Sequence, residues 1–290
     1  MRFLGKIEQN AMDSFFYCVG LPKSGTTFLQ RTLNLHPQIS CPSEHNLEQL
    51  KTALGQAYIQ YNETLDIVDR RTGGQGAKHV DVPALKKTLK AAILAIAESA
   101  GQGKPVCGLS DNSILAHLPF YSELLDHPPI IFIIRNPIDQ SLSAWRHNHR
   151  LAKEENNREH VEIMYQHGET VESWLIYCAH LFNTMVNKLT QIIKTHDNVL
   201  LVRYEALVDN KASELNRIIE KLGGDTNSII IDSIVQDSSL KQMSESSTHV
   251  DFFGEGSTEL GGENISEELR KEILAICAPA MKEIGYSIED

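Results

Sequence analysis

Short apolar runs bounded by turn residues alternate along the chain with stretches in which apolar residues recur every three or four positions. Continuous apolar runs suit strands covered on both faces, and the three-to-four spacing suits the helices that cover them. The alternation therefore predicts an α/β fold of three layers, with a central, mostly parallel sheet of about five strands between helices. The strands fall at 15–19, 38–41, 106–109, 130–134 and 199–202. Leu47, Leu50, Leu54 and Tyr58 mark one helix, and Leu85, Leu89, Ile93 and Ile96, entered by Pro83, mark another. A third spans about 171–193 through Leu175, Cys178, Phe182, Met185 and Leu189. The last carries Leu269, Ile273, Ile276 and Ile284 and opens on a capping box formed by Asn264 and Glu267. Two stretches read as loops: 69–78, with three glycines, and 237–264, rich in Ser, Gly and Glu around Phe252 and Phe253. Loops of that length in an α/β domain are lids, binding segments or plain surface insertions. No internal repeat divides the chain, so one domain over 1–290 is expected, its core at about 15–286.

Composition narrows the partners. A hydrophobic content of 41% over 290 residues fills a sizeable core. The 27 Lys and Arg against 38 Asp and Glu leave a formal charge of −11, which disfavours nucleic acid, anionic membranes and polyanionic glycans. Any anion must then be captured by local geometry. Cys18, Cys41, Cys107, Cys178 and Cys277 are scattered and show no CxxC spacing, so neither a disulfide framework nor a zinc site is expected. No apolar stretch has the length of a signal peptide or a membrane span, and the expected compartment is cytoplasmic.

The first candidate chemistry follows the first strand. Gly20-Leu-Pro-Lys-Ser-Gly-Thr-Thr-Phe-Leu-Gln-Arg-Thr-Leu33 is a glycine-bearing turn feeding a helix, a P-loop-like strand–phosphate loop–helix junction. Such a junction aims backbone N–H groups and the positive end of a helix dipole at one anion. A Walker loop would place its lysine after the second glycine, whereas Lys23 precedes Gly25 and Thr26 and Thr27 follow it. ATP-type phosphoryl transfer is disfavoured on that count.

The order Pro-Lys-Ser-Gly-Thr-Thr resembles the 5′-phosphosulfate loop of sulfotransferases that use 3′-phosphoadenosine-5′-phosphosulfate (PAPS). The resemblance implies that Lys23 contacts the bridging oxygen and neutralises the leaving phosphate, while Ser24, Gly25, Thr26 and Thr27 wrap the 5′-phosphate. A second stretch supports it: 130–145 is a buried strand ending in Arg135, then a helix started by Pro137, with Ser143 eight residues beyond the arginine. It resembles the family's 3′-phosphate motif, in which Arg135 would fork onto the phosphate and Ser143 would turn its hydroxyl to the same oxygens. An arginine merely ending a strand explains neither that spacing nor the first loop.

Weaker likenesses run to the C-terminal end. Tyr204, in Leu-Val-Arg-Tyr-Glu-Ala-Leu, resembles the family tyrosine beside the adenine, and Ser238 and Leu240 resemble its Thr-Ser-Phe stretch, with Leu240 in place of the stacking ring. The family's Arg-Lys-Gly clamp on the 3′-phosphate has no counterpart: Phe252, Phe253, Gly254, Glu255 and Gly256 stand there, so that clamp is missing or supplied from elsewhere.

Sulfuryl transfer needs an in-line acceptor, a base and positive charge at the leaving phosphate, and it requires no metal. Three residues compete for the base. Glu44, after His36-Pro37 and the second strand, holds the position of the base in glycan-type members and ranks first. His117, in His-Leu-Pro, resembles the base of small-molecule members and ranks second. Asp111 ranks third, in a segment where Asn112 and Ile114 replace the family's lysine and proline. The expected acceptor is a small molecule, a lipid or a modest glycan, and a homodimer is allowed. The competing readings are a P-loop nucleotide kinase and a PAP- or nucleotide-binding protein without transfer activity.

Overall fold

The computed structural model describes residues 15–153, 157–195, 197–238 and 265–287. Strands β1 (Phe15–Gly20), β2 (Ile39–Ser40), β3 (Val106–Ser110), β4 (Ile130–Ile134) and β5 (Val199–Arg203) form one parallel sheet in the order β2-β3-β1-β4-β5. Because side chains alternate across a strand, each strand serves two cores. Phe15, Tyr17, Val19, Ile130, Phe132 and Ile134 face one buried cluster, and Phe16, Cys18, Ile131 and Ile133 face another.

Helices close both faces, giving the three-layer α/β architecture with its P-loop-like junction. Helices α1 (Thr26–Asn34), α8 (Tyr204–Asp209), α9 (Lys211–Lys221) and α10 (Ser228–Asp237) cover the second cluster through Phe28, Leu207, Leu215 and Ile234. Helices α2 (Leu47–Arg71), α3 (Val82–Ala100), α4 (Leu118–Leu124), α5 (Pro137–Lys153), α7 (Val171–Thr195) and α11 (Glu267–Glu283) cover the first. Helix α6 (Arg158–His167) packs on α5, and Met164 and Trp174 meet there in a small third cluster.

The predicted strands are found, with β2 shortened to two residues. Two local expectations change. The last helix is capped by Ser266, whose hydroxyl accepts the Leu269 N–H at 3.1 Å, because the helix begins only at Glu267; Asn264 lies outside the described residues. The predicted loop at 69–78 starts inside α2, which runs to Arg71, and the turn beyond is tied back by Asp69, whose Oδ1 accepts the Gly76 N–H at 2.9 Å. Most of the second predicted loop, 239–264, lies outside the described residues.

Connectivity fixes where ligands can sit. From central β1 the chain runs out to edge strand β2, returns to β3 beside β1, and then crosses to β4 on the other side. Such a reversal leaves a crevice at the carboxyl ends of the strands. Lys23, Glu44, Asp111, Arg135 and Tyr204 follow the ends of β1, β2, β3, β4 and β5 in turn.

Candidate active site

The phosphate loop is built around two close approaches. A Cβ on Gly20 would lie 2.5 Å from the Ile133 carbonyl oxygen, so glycine lets the loop leave β1 tight against β4. Gly25, the N-cap of α1, has φ +99°, and a Cβ there would lie 2.4 Å from Tyr204 Cδ2. Both conditions require glycine. Lacking a side chain, Gly25 cannot cap α1, so the first-turn N–H groups at Thr26 and Thr27 are left for an external acceptor. Ser24 is buried and its N–H closes a turn onto the Leu21 carbonyl at 3.0 Å.

Positive charge gathers here in an acidic protein. Burial lowers the Lys23 ammonium pKa below the usual lysine range, and the guanidiniums of Arg150 and Arg135 lower it further. That crowding favours an anion in their shared field. Arg150, near the end of α5, was not singled out by sequence; only its place in a basic helix end could have drawn attention to it.

Arg135 follows β4 and is buried, with its guanidinium carbon 4.6 Å from the centre of the Tyr204 ring. The turn beyond it is fixed by Asn136, whose N–H donates to Glu205 Oε1 at 2.8 Å and whose Oδ1 accepts the Ile138 N–H at 3.0 Å. Gln140, one turn into α5, donates to the Pro22 carbonyl and ties the helix to the phosphate loop. Ser143 lies half-buried in the next turn, ~9 Å along the helix from Pro137.

Tyr204 continues into an aromatic and cationic wall. Its ring meets Phe28 edge-on at 6.2 Å, and Lys211 Nζ lies 5.0 Å over Phe28 while donating to the Ser238 carbonyl at 2.8 Å. The Ser238 hydroxyl is buried without a hydrogen-bond partner among the described residues. Phe28 and Lys211 were not singled out by the sequence, in which Phe28 reads only as part of the helix that follows the loop. Leu240 lies outside the described residues.

The three base candidates occupy different surroundings. Asp111 is fully buried, and both its oxygens are taken: Oδ2 accepts the Leu47 N–H at 2.8 Å and Oδ1 the Ser113 N–H at 2.9 Å. It caps the 3₁₀ helix Asn112–His117 and at the same time holds the first N–H of α2, whose own N-cap is Asn46. Glu44 is exposed, and its Oε1 accepts from Asn112 Nδ2 at 3.1 Å. Partial burial raises its pKa, Asp111 nearby adds to that, and the Asn112 hydrogen bond opposes it. His117 is exposed at the far end of the 3₁₀ helix, ~12 Å from Asp111 along its axis. Among the described residues no three side chains form a metal-binding group.

Comparison with known proteins agrees with this architecture. Residues 16–228 match the model of the sulfotransferase family, and the chain belongs to that family. Mouse sulfotransferase SULT7A1, solved with PAP, superposes with a TM-score of 0.55 at 16% identity, over 96% of this chain and 88% of its own. A sulfotransferase from Alicyclobacillus acidocaldarius gives 0.53 at 16% identity, over 94% and 96%. Retinol dehydratase, solved with androsterone and PAP, gives 0.52 at 16% identity, over 97% and 86%. At these identities the likeness is one of fold. No curated protein matches the sequence.

Proposed function

We propose that this sulfotransferase moves a sulfuryl group from PAPS to an acceptor hydroxyl or amine and releases PAP, with the chain 1–290 acting as one domain. One observation carries the reading. Strands β1 and β4 pair with Gly20 opposite Ile133, which brings the phosphate loop with Lys23 and the strand-end Arg135 side by side although they are far apart in sequence. The residues fit the donor: N–H groups at α1, a glycine cradle that a Cβ would fill and three convergent cations suit its phosphates, and Phe28, Tyr204, Lys211 and Ser238 suit a purine. The PAP in mouse SULT7A1 and retinol dehydratase supports the same choice.

When bound, PAPS supplies a sulfuryl group whose bond to the 5′-phosphate breaks as the acceptor bonds to sulfur. Lys23 offsets the charge that grows on the leaving phosphate, where preorganised charge is most effective. Arg135 and Ser143 hold the 3′-phosphate, and Arg150, whose charge shares the field of Lys23 and Arg135, substitutes for the missing Arg-Lys-Gly clamp. Glu44 takes the acceptor proton. Its pKa is shifted upward, the direction that strengthens a base, and Asn112 joins it to the phosphate loop. Asp111, with both oxygens committed to backbone N–H groups, serves structure. The androsterone in retinol dehydratase favours a small molecule over a polymer as acceptor, in keeping with the charge of −11. The test is transfer of ³⁵S from labelled PAPS to a panel of phenols, sterols, amines and short glycans. Glu44→Gln should lose roughly 10²–10⁴-fold in turnover and keep PAP affinity, while His117→Ala should retain most activity. The reverse pattern would move the base to His117.

A further inference from the structure

Gly20 needs a hydrogen-bond acceptor where β1 gives way to the phosphate loop, and a side chain supplies it. Strands β1 and β3 pair with Cys18 opposite Ser110, so two residues further on Asn112 stands beside Gly20. Its Oδ1 accepts the Gly20 N–H at 3.1 Å, and its Nδ2 donates to Glu44 Oε1 at 3.1 Å. The amide orientation is fixed by chemistry: a backbone N–H can only donate and a carboxylate can only accept. Asn112 is itself anchored, since it follows Asp111, which is locked by the Leu47 and Ser113 N–H groups. Glu44, by contrast, sits in the irregular segment between β2 and α2.

We propose that Asn112 is a positioning residue that ties the Glu44 carboxylate to the backbone of the phosphate loop, so that proton acceptor and donor-binding loop keep one spacing. The inference rests on the reading of Glu44 as base. Few side chains can do this work. Asparagine accepts from one neighbour and donates to the other at the same time, whereas aspartate can only accept and alanine does neither. The Asn112 donor also favours the ionised form of Glu44, the form a base needs. The charged groups on the surrounding elements are Asp111 after β3, His45 next in the chain, Glu48 paired with Lys51 in α2, and Lys23 in the phosphate loop. Asn112 is the neutral group that joins the Glu44 carboxylate to the loop.

Asn112→Asp is the informative variant, because it keeps the shape and the acceptor for Gly20 but turns the donor into a second carboxylate. The Glu44 carboxyl resonance, assigned by its loss in Glu44→Gln, is titrated by ¹³C NMR in the free protein. Its midpoint should rise by about one pH unit in Asn112→Asp, the size of one charge-assisted hydrogen bond, and by less in Asn112→Ala. The acid limb of kcat, measured at saturating PAPS so that repulsion of the phosphates is not read, should move up with it. A base acts ionised, so its rate falls as pH drops through its pKa, and a raised pKa moves that fall to higher pH. A Glu44 midpoint and acid limb unmoved in both variants would overturn the proposal. If instead Glu44→Gln turns over normally, the base assignment fails, while the NMR titration still reads whether the tie exists.

Discussion

Lys23 occupies a backbone conformation that lysine resists, with φ +69° in the left-handed region. It is also partly buried beside Arg135 and Arg150, which lowers its pKa. Both features cost stability, and both bring an ammonium to the mouth of α1. Lys23→Gly should therefore stabilise the protein against urea by about 1 kcal/mol while disabling it. Lys23→Ala should lower kcat by about 10²–10³-fold and weaken PAP binding far less, because its charge matters most once the leaving phosphate has formed. Proton linkage adds a second signature. A bound phosphate favours the charged lysine and raises its pKa above the free-state value, so PAP affinity is full below the free-state pKa and falls as pH rises through the bound one. Calorimetry in two buffers of different ionisation enthalpy should show proton uptake at alkaline pH, and Lys23→Ala should abolish it. At the 3′ side, Arg135→Ala should weaken PAP by at least ~1.5 kcal/mol and Ser143→Ala by less, since only the first removes a charge-assisted bond.

Among the elements, the division of labour between Asp111 and Glu44 is the sharpest test of the site. Removing the Asp111 side chain would strand the Leu47 and Ser113 N–H groups at the starts of α2 and the 3₁₀ helix, at ~1–3 kcal/mol for each buried group left unsatisfied. Asp111→Ala should thus lower stability in urea by at least ~2 kcal/mol, whereas Glu44→Gln, at an exposed position, should stay within ~0.5 kcal/mol of the parent. Equal stability of the two variants would return Asp111 to the list of bases. The strands were legible in sequence because runs such as 130–134 are buried on both faces and so read as unbroken apolar stretches. Helix α9 was not, although Leu215, Ile218, Ile219 and Leu222 keep helical spacing, because charged residues separate them in a short segment. The anion motifs were legible since each lies within one short continuous stretch of chain, 20–27 and 135–143. The contact of Gly20, Asn112 and Glu44 was not, because it arises from the pairing of Cys18 with Ser110, a register that no local pattern encodes.

For the whole molecule, the net charge and the site pull in opposite directions. A chain of −11 repels a nucleotide carrying several negative charges at long range, yet Lys23, Arg135 and Arg150 meet at the crevice where the sheet reverses. Binding must then come from short-range geometry: N–H groups at α1, the guanidinium held over Tyr204, and the Phe28 wall. These are protein groups already in place, so the nucleotide should need no divalent cation to bridge it to the loop. PAP at 100 times its dissociation constant should stabilise the folded state by ~2.7 kcal/mol through mass action. For a protein of this size that amounts to roughly 5 °C in melting temperature. The shift should be unchanged by EDTA and reproduced by PAPS, and ATP, which has no 3′-phosphate for Arg135, should give a smaller one at equal concentration. A shift that appears only with added magnesium, or that is larger for ATP than for PAP, would mean that the loop at Lys23 holds a metal-bridged triphosphate, and the sulfuryl donor assignment would fall with it.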